Sequence, residues 1–416
     1  MMSLLTGSAI VSIELAEYLK SQKAEVTIYT CFKGEPVASL CEKKNISVVS
    51  FEEKPQFKLG DFDIIWIHSQ ILPLSIVEQL GEKLPKKMPI FVFLHMSGMD
   101  WIPDEKPWIH DLENRLSSLS LFISEEVRSL SDFMLSDRVK RDYFRNPAPT
   151  AYIERSKPPR KELRSVLFVS NHPPEEVLEA KKILSEKGIE TATLGYGQDF
   201  YEMTSPKLIN RYDAVVAIGK TVQYGLVSGT PVYVYDGYGG GPGWLNESNF
   251  KTSSTRNFSG YQNKQYPSYV GDGFHPKTAP EIASEILEGY RDAREFAQEK
   301  KDSFLEDYLI DNVLERLLLT IQKRSDIEKF DDSYTAMLYA SELFATNHFV
   351  DISNLWLRDQ AIIERDSLTI PELRKRIEVL KEENDKLRTD LDYLKRFVST
   401  RTELSVRKFV NKLRKR

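Results

Sequence analysis

The stretch from residue 212 to 245, YDAVVAIGKTVQYGLVSGTPVYVYDGYGGGPGWL, constrains the fold more than any other part of the chain. Residues 214–218 are a short apolar run, the pattern of a strand buried on both faces of a parallel sheet. Gly219-Lys220-Thr221 then opens a helix, whose free N–H groups and dipole favour an anion. Lys220 adds a mobile positive charge and Thr221 a hydroxyl. Gly229 and Pro231 stop the helix, residues 232–235 read as the next strand, and Gly239, Gly240 and Gly241 let backbone approach a ligand closely. Two anion-friendly turns at the carboxyl ends of neighbouring strands suit a diphosphate, and that edge is where open α/β sheets take ligands. The spaced upstream glycine of a P-loop is missing. A structural strand-to-helix turn is the plainer alternative.

The first half of the chain alternates apolar runs with helical patterns, the signature of βαβ units. A helical stripe covers 10–20, and strands are expected at 26–29, 46–51, 64–68, 90–95 and 119–124. Residues 147–159, rich in proline and charge, read as a linker. A second unit then starts with a strand at 165–170, a helix at 174–187 and a strand near 191–194. Residues 279–321 are mostly helical. The turn Thr6-Gly7-Ser8 is preceded by residues 1–5, which leaves room for a strand of five residues at most.

Three segments carry a family likeness: VSNHPPEEVLEAKKILSEKGIE (169–190), IGKTVQYGLVSGTPVYVYDGYGGGPGWL (218–245) and NFSGY (257–261). They resemble the carboxyl-terminal domain of GT-B glycosyltransferases, in particular the family 4-like bacterial enzymes of surface-polysaccharide assembly. The resemblance extends over residues 1–325 and is strongest in the second half. It implies an α/β GT-B architecture, with two Rossmann-like domains facing a cleft. The first, 1–150, would take the acceptor; the second, 160–325, would take the nucleotide sugar and end in a helix crossing back to the first. Many retaining members place two glutamates seven residues apart around the 219–229 helix, where this chain has Gln223, Tyr224 and Gly225.

The resemblance also directs attention to particular residues. His95 ends an apolar strand at the cleft and matches a histidine that touches the transferred sugar in many members; it is the preferred sugar or acid/base contact, with His68 as the weaker counterpart. Asp100 could accept the acceptor's proton in an inverting enzyme, although a surface carboxylate is the plainer reading. The donor would be held by Gly7 and Ser8 at the first helix, Asn171 and His172 in a cleft loop, and Gly219, Lys220, Thr221, Tyr224 and Gly239–Gly241. Trp244 and residues 257–261 join this site by family likeness alone. No cofactor or metal is expected, because no HExxH pattern or carboxylate cluster is present.

After a helical connector at 326–368, residues 369–404 carry apolar side chains at alternating spacings of three and four. Ile370, Ile377, Asn384 and Leu391 fall at a; Leu373, Leu380, Leu387 and Leu394 fall at d. Leucine at d with one buried asparagine at a favours a parallel two-stranded coiled coil and a homodimer; packing on the chain's own domain is the alternative. Residues 405–416 hold six basic and no acidic side chains, with Val406, Phe409, Val410 and Leu413 on one face. Such a tail reads as an anchor to an anionic membrane surface, or as a frayed terminus.

Composition sets the outer limits. The net charge of −5 argues against nucleic-acid binding. The charge is uneven: residues 369–416 hold 15 Lys/Arg against 8 Asp/Glu, a net of +7, leaving −12 on the rest. Two cysteines without metal-type spacing suit a reducing compartment. No run reaches the ~18 apolar residues of a membrane span. The expectation is a cytoplasmic enzyme, peripheral at the inner membrane face. It would transfer a hexosyl or deoxyhexosyl unit to a lipid-linked or polymeric glycan in cell-surface polysaccharide assembly. A non-catalytic GT-B scaffold is the alternative, and a sugar-nucleotide epimerase a third.

Overall fold

Thr6 stops the extended entry of the chain and starts helix α1 (Gly7–Ser21): its backbone is extended (φ −87°, ψ 164°) and its hydroxyl accepts from the Ala9 N–H. This computed structural model describes residues 2–68, 71–97, 110–154, 158–236, 240–260, 277–366 and 375–391. After α1 the first half runs β1 (Thr27–Thr30), α2 (Val37–Lys43), β2 (Ser47–Ser50), β3 (Ile64–Ile67), α3 (Leu74–Leu80) and β4 (Ile90–His95). It continues with α4 (His110–Leu116), β5 (Ser117–Phe122), α5 (Glu125–Ser131) and β6 (Arg141–Tyr143). The second half runs β7 (Ser165–Val169), α6 (Glu175–Glu186), β8 (Glu190–Leu194), α7 (Pro206–Arg211), β9 (Ala214–Ala217) and α8 (Lys220–Ser228). Then come β10 (Val232–Asp236), β11 (Gly240–Trp244), α9 (Phe250–Ser254), α10 (Ala279–Tyr308), α11 (Ile310–Thr320) and α12 (Asp332–Asp366).

The α/β class expected from the alternating pattern is present, with two parallel sheets. In the first half β3-β4-β5-β6 form one sheet and β1-β2 a separate parallel pair. Residues 2–5 form no strand. Met2 makes an isolated parallel bridge to Lys33, its N–H donating to Phe32 O at 2.8 Å and its carbonyl accepting from Gly34 N–H at 3.0 Å.

The second sheet has the order β11-β10-β9-β7-β8, all parallel except the β10–β11 pair. That exception corrects the expectation of a loop at Gly240 and Gly241. Gly240 and Gly241 are strand residues of an antiparallel hairpin, and Gly239 lies outside the described residues. The close approach that requires glycine is to the neighbouring strand: a β-carbon on Gly241 would sit 2.0 Å from the Val234 carbonyl oxygen.

The chain crosses between halves twice, side by side. The helical run expected over 279–321 breaks at Leu309, whose extended backbone bridges in parallel to Ala148 in the first crossing. Ala148 N–H donates to Tyr308 O at 2.7 Å and Ile310 N–H to Ala148 O at 2.9 Å. Helix α11 then returns to the first half, where Val313, Leu314 and Leu317 pack with Val11, Leu15, Val92 and Leu119. Phe330 and Leu338, in the segment read as a connector, complete a second core with Leu59, Ile67, Ile76 and Phe91. Residues 375–391 are a helix in their own right, with Ile377 and Leu387 exposed. The remainder of the expected coil, and the whole basic tail at 405–416, lie outside the described residues. Among those residues no helix is long and apolar enough to cross a membrane.

Candidate functional site

The carboxyl ends of strands from both sheets meet along one seam, and three sets of contacts hold it. After β7, Asn171 accepts from the Tyr196 N–H at 3.1 Å and donates to Leu5 O at 3.3 Å, while Tyr201 Oη accepts from Leu5 N–H at 2.8 Å. The second half thus grips the residue just ahead of the Thr6 cap. Asn171 thus reaches Leu5, two residues ahead of Gly7, which is exposed; Ser8 is half-buried. His172 is exposed and its backbone N–H rests on Ser170 Oγ at 3.1 Å. At the far end of the seam Glu126 N–H donates to Thr255 O at 3.0 Å, and Arg256 Nε lies 3.7 Å from the Glu126 carboxylate.

The middle of the seam is the start of α8. Gly219 holds φ +54° and ψ −130°, a conformation glycine alone adopts readily, and open space surrounds the position a β-carbon would take. Its N–H donates to Phe258 O at 3.1 Å. Every residue of α8 is buried, so its side chains are committed to packing. Thr221 is among them, and the side-chain amides of Gln223 and Asn257 lie 3.0 Å apart.

Lys220 is not a mobile surface charge. Its ammonium lies 2.6 Å from Glu14 Oε2 of α1 and donates to Pro147 O at 2.6 Å and Asn146 O at 3.1 Å. It also sits 5.1 Å from the centre of the Tyr224 ring. The Tyr224 hydroxyl donates to Glu14 Oε1, and its ring stacks on Tyr152 at 4.0 Å and 3°. Tyr224 therefore faces α1 and the linker. Burial pushes the Glu14 carboxyl up and the Lys220 ammonium down, each opposed by its partner's charge. Three oxygens around the ammonium and a hydroxyl on the carboxylate suit the charged pair. The chemistry of this knot is adhesion between α1, the linker and α8.

The two histidines differ in surroundings. His95, 4% exposed, places Nε2 at 2.8 Å from Glu113 Oε1 of α4, and the same oxygen accepts from Ser120 Oγ at 2.5 Å. Its ring stacks on Phe122 at 4.9 Å. His68, at the carboxyl end of β3, is half-buried and sets Nδ1 at 3.2 Å from Ser12 Oγ, which lies 2.9 Å from Ser8 O. Burial pushes the His68 imidazole down to about 4, so it is neutral at pH 7. Asp100 falls outside the described residues. Trp244 belongs to the packing behind the sheet: Nε1 donates to Glu285 O at 2.9 Å and the ring meets Tyr233 edge-on.

Sequence reading missed Ser12, Glu14, Tyr152 and Tyr201. Glu14 alone carried a signal, as a carboxylate between Ile13 and Leu15. Among the described residues no group of three or more His, Cys, Asp or Glu side chains is placed to hold a metal ion.

No family model and no curated protein matches the chain. Among solved structures it is similar to Anabaena Alr3699/HepE in complex with UDP and glucose, at 12% identity and a TM-score of 0.48 over 76% of this chain and 95% of that one. A glycosyltransferase from Rickettsia africae shares 13% identity at a TM-score of 0.46, over 76% and 94% of the two chains. The glycosyltransferase SnogD from Streptomyces nogalater shares 11% at 0.36, over 75% and 96%.

Proposed function

We propose that the protein is a glycosyltransferase that moves a sugar from a nucleotide-sugar donor to a glycan acceptor. The observation that carries this reading is the seam itself. It joins the carboxyl edges of two parallel sheets and ties Asn171 of the second half to Leu5, just ahead of the α1 start that carries Gly7 and Ser8. It also contains the glycine-opened start of α8. Backbone N–H groups at the start of α1 would hold the donor's diphosphate and stabilise the charge that develops on it as the glycosidic bond breaks, with the half-buried Gly219 alongside. Lys220 serves this site indirectly, by fixing α8 against α1.

The family resemblance extends the proposal. The acceptor is a lipid-linked or polymeric glycan of cell-surface polysaccharide assembly, and the transferred unit is of hexosyl or deoxyhexosyl type. The heptads of 369–404 pair two copies, and the basic tail holds them at an anionic membrane surface, on the cytoplasmic side. No metal is assigned a role.

The test is thermal stabilisation by UDP, GDP, dTDP and ADP and their common sugar conjugates. Selective binding adds roughly 2.7 kcal/mol at a hundredfold excess over the dissociation constant. A shift with one nucleotide family, followed by transfer from its sugar conjugate, is the expected result. A scaffold without catalysis is the second reading, favoured by the use of Lys220 and Tyr224 as adhesive between the halves. Folded protein that shifts with none of these nucleotides would replace the transferase with the scaffold.

A further inference from the structure

Proton bookkeeping around α1 separates the two histidines. Ser12 Oγ has one hydrogen, and the Ser8 carbonyl, 2.9 Å away, can only accept it. When the Ser12 hydroxyl donates to that carbonyl, the 3.2 Å contact between Ser12 Oγ and His68 Nδ1 is donated by the imidazole. The neutral ring is therefore the Nδ1–H tautomer, and its lone pair is on Nε2. That nitrogen has no partner among the described residues. His95 is arranged the other way: its Nε2, the nitrogen farther from the backbone, is spent on Glu113, and the residue is almost wholly buried. His68 is half-buried and stands beside the helix start that carries Gly7 and Ser8.

We infer that His68, and not His95, is the catalytic base, with Ser12 as its positioning residue. The inference rests on the transferase reading above. In the reaction the acceptor O–H bond breaks and its proton goes to His68 Nε2. The acceptor oxygen forms a bond to the anomeric carbon, and the bond from that carbon to the diphosphate breaks. The electron pair leaves with the nucleoside diphosphate. The Ser8–Ser12 chain holds Nδ1–H in place while Nε2 accepts. The His95–Glu113–Ser120 chain is a buried brace between β4, α4 and β5.

The decisive measurement is the tautomer of His68 in the full-length protein with 15N-labelled imidazoles. Six histidines are present, and a His68→Gln difference spectrum identifies the signal. The expected result is a neutral Nδ1–H ring at pH 7, which becomes a tautomer mixture in Ser12→Ala. In the transfer assay His68→Gln should lose at least ~100-fold in kcat, the low end of general-base contributions. Its thermal shift with nucleotide should be unchanged. An Nε2–H or charged His68 in the wild type overturns the inference, as does wild-type turnover by His68→Gln. Wild-type protein with the expected tautomer but no transfer from any nucleotide sugar refutes the transferase reading, and the catalytic role falls with it.

Discussion

Replacing Lys220 with methionine should cost about 3–5 kcal/mol, the usual loss when one partner of a buried ion pair is removed. The geometry supports the upper part of that range. Glu14 and Lys220 side chains are 2% and 7% exposed at 2.6 Å separation, and the ammonium also serves two linker carbonyls. At about 2 °C per kcal/mol for a large domain, the melting point should fall by roughly 6–10 °C. Glu14→Gln combined with Lys220→Met removes both charges and keeps an acceptor for the Tyr224 hydroxyl. It should recover most of the loss, because no unpaired charge is left buried. The sign with pH is fixed as well. Burial already pushes Glu14 up, and without the cation it rises further. Stability gained from the neutral acid is fully present below the ordinary carboxyl range and lost as pH rises through the raised value. The single variant should thus approach wild type near pH 4–5 and fall furthest behind at neutral pH. Scanning calorimetry of wild type, both singles and the double at two pH values decides it. A Lys220→Met melting point within about 1 °C of wild type, as expected for a solvent-screened pair, would refute the knot.

Glu342 of α12 is buried with its carboxyl pushed up to about 8, and it accepts from Leu72 N–H at 3.2 Å. Its neutral form contributes stability that is fully present at acid pH and lost, at about 1.4 kcal/mol per unit, as pH rises towards that value. Glu342→Gln should flatten the pH dependence of melting between about 5 and 8, and an unchanged slope would refute the assignment. Gly241→Ala should cost about 1–3 kcal/mol by overpacking against Val234 O; unaltered melting would contradict the hairpin. Light scattering at micromolar concentration should give a dimer mass for the full chain, loosened in register by Asn384→Leu. A monomer would remove the coil.

Much of the fold was legible because burial on both faces leaves a plain mark in parallel strands. The runs at β4 and β9 announced themselves as unbroken apolar segments, and the start of α8 as a glycine between strand and helix. The misses have equally physical causes. Strand β6 is an edge strand of three residues whose faces are only half covered, so it carries no apolar run. Strand β11 reads GGPGW, a composition that signals a loop until one sees how close its backbone lies to β10. The role of Lys220 depended on Glu14, more than two hundred positions away, and no local pattern reports that pairing. Ser12 had the same difficulty: it matters through His68, which follows β3, more than fifty positions away.

The helices α11 and the start of α12 have a consequence for synthesis. Leu314, Leu317, Phe330 and Leu338 close the cores of a half whose last strand ends at Tyr143. A nascent chain at that strand already holds every strand of the first half, yet lacks the side chains that cover Val92, Leu119, Ile67 and Phe91. Nearly two hundred further residues must leave the ribosome first, which at roughly 5–20 residues per second takes about 10–40 s. During that interval the amino-terminal half is the portion most in need of a chaperone, and the second half, begun later, has its own sheet and α10 to finish with. The half translated first is completed last.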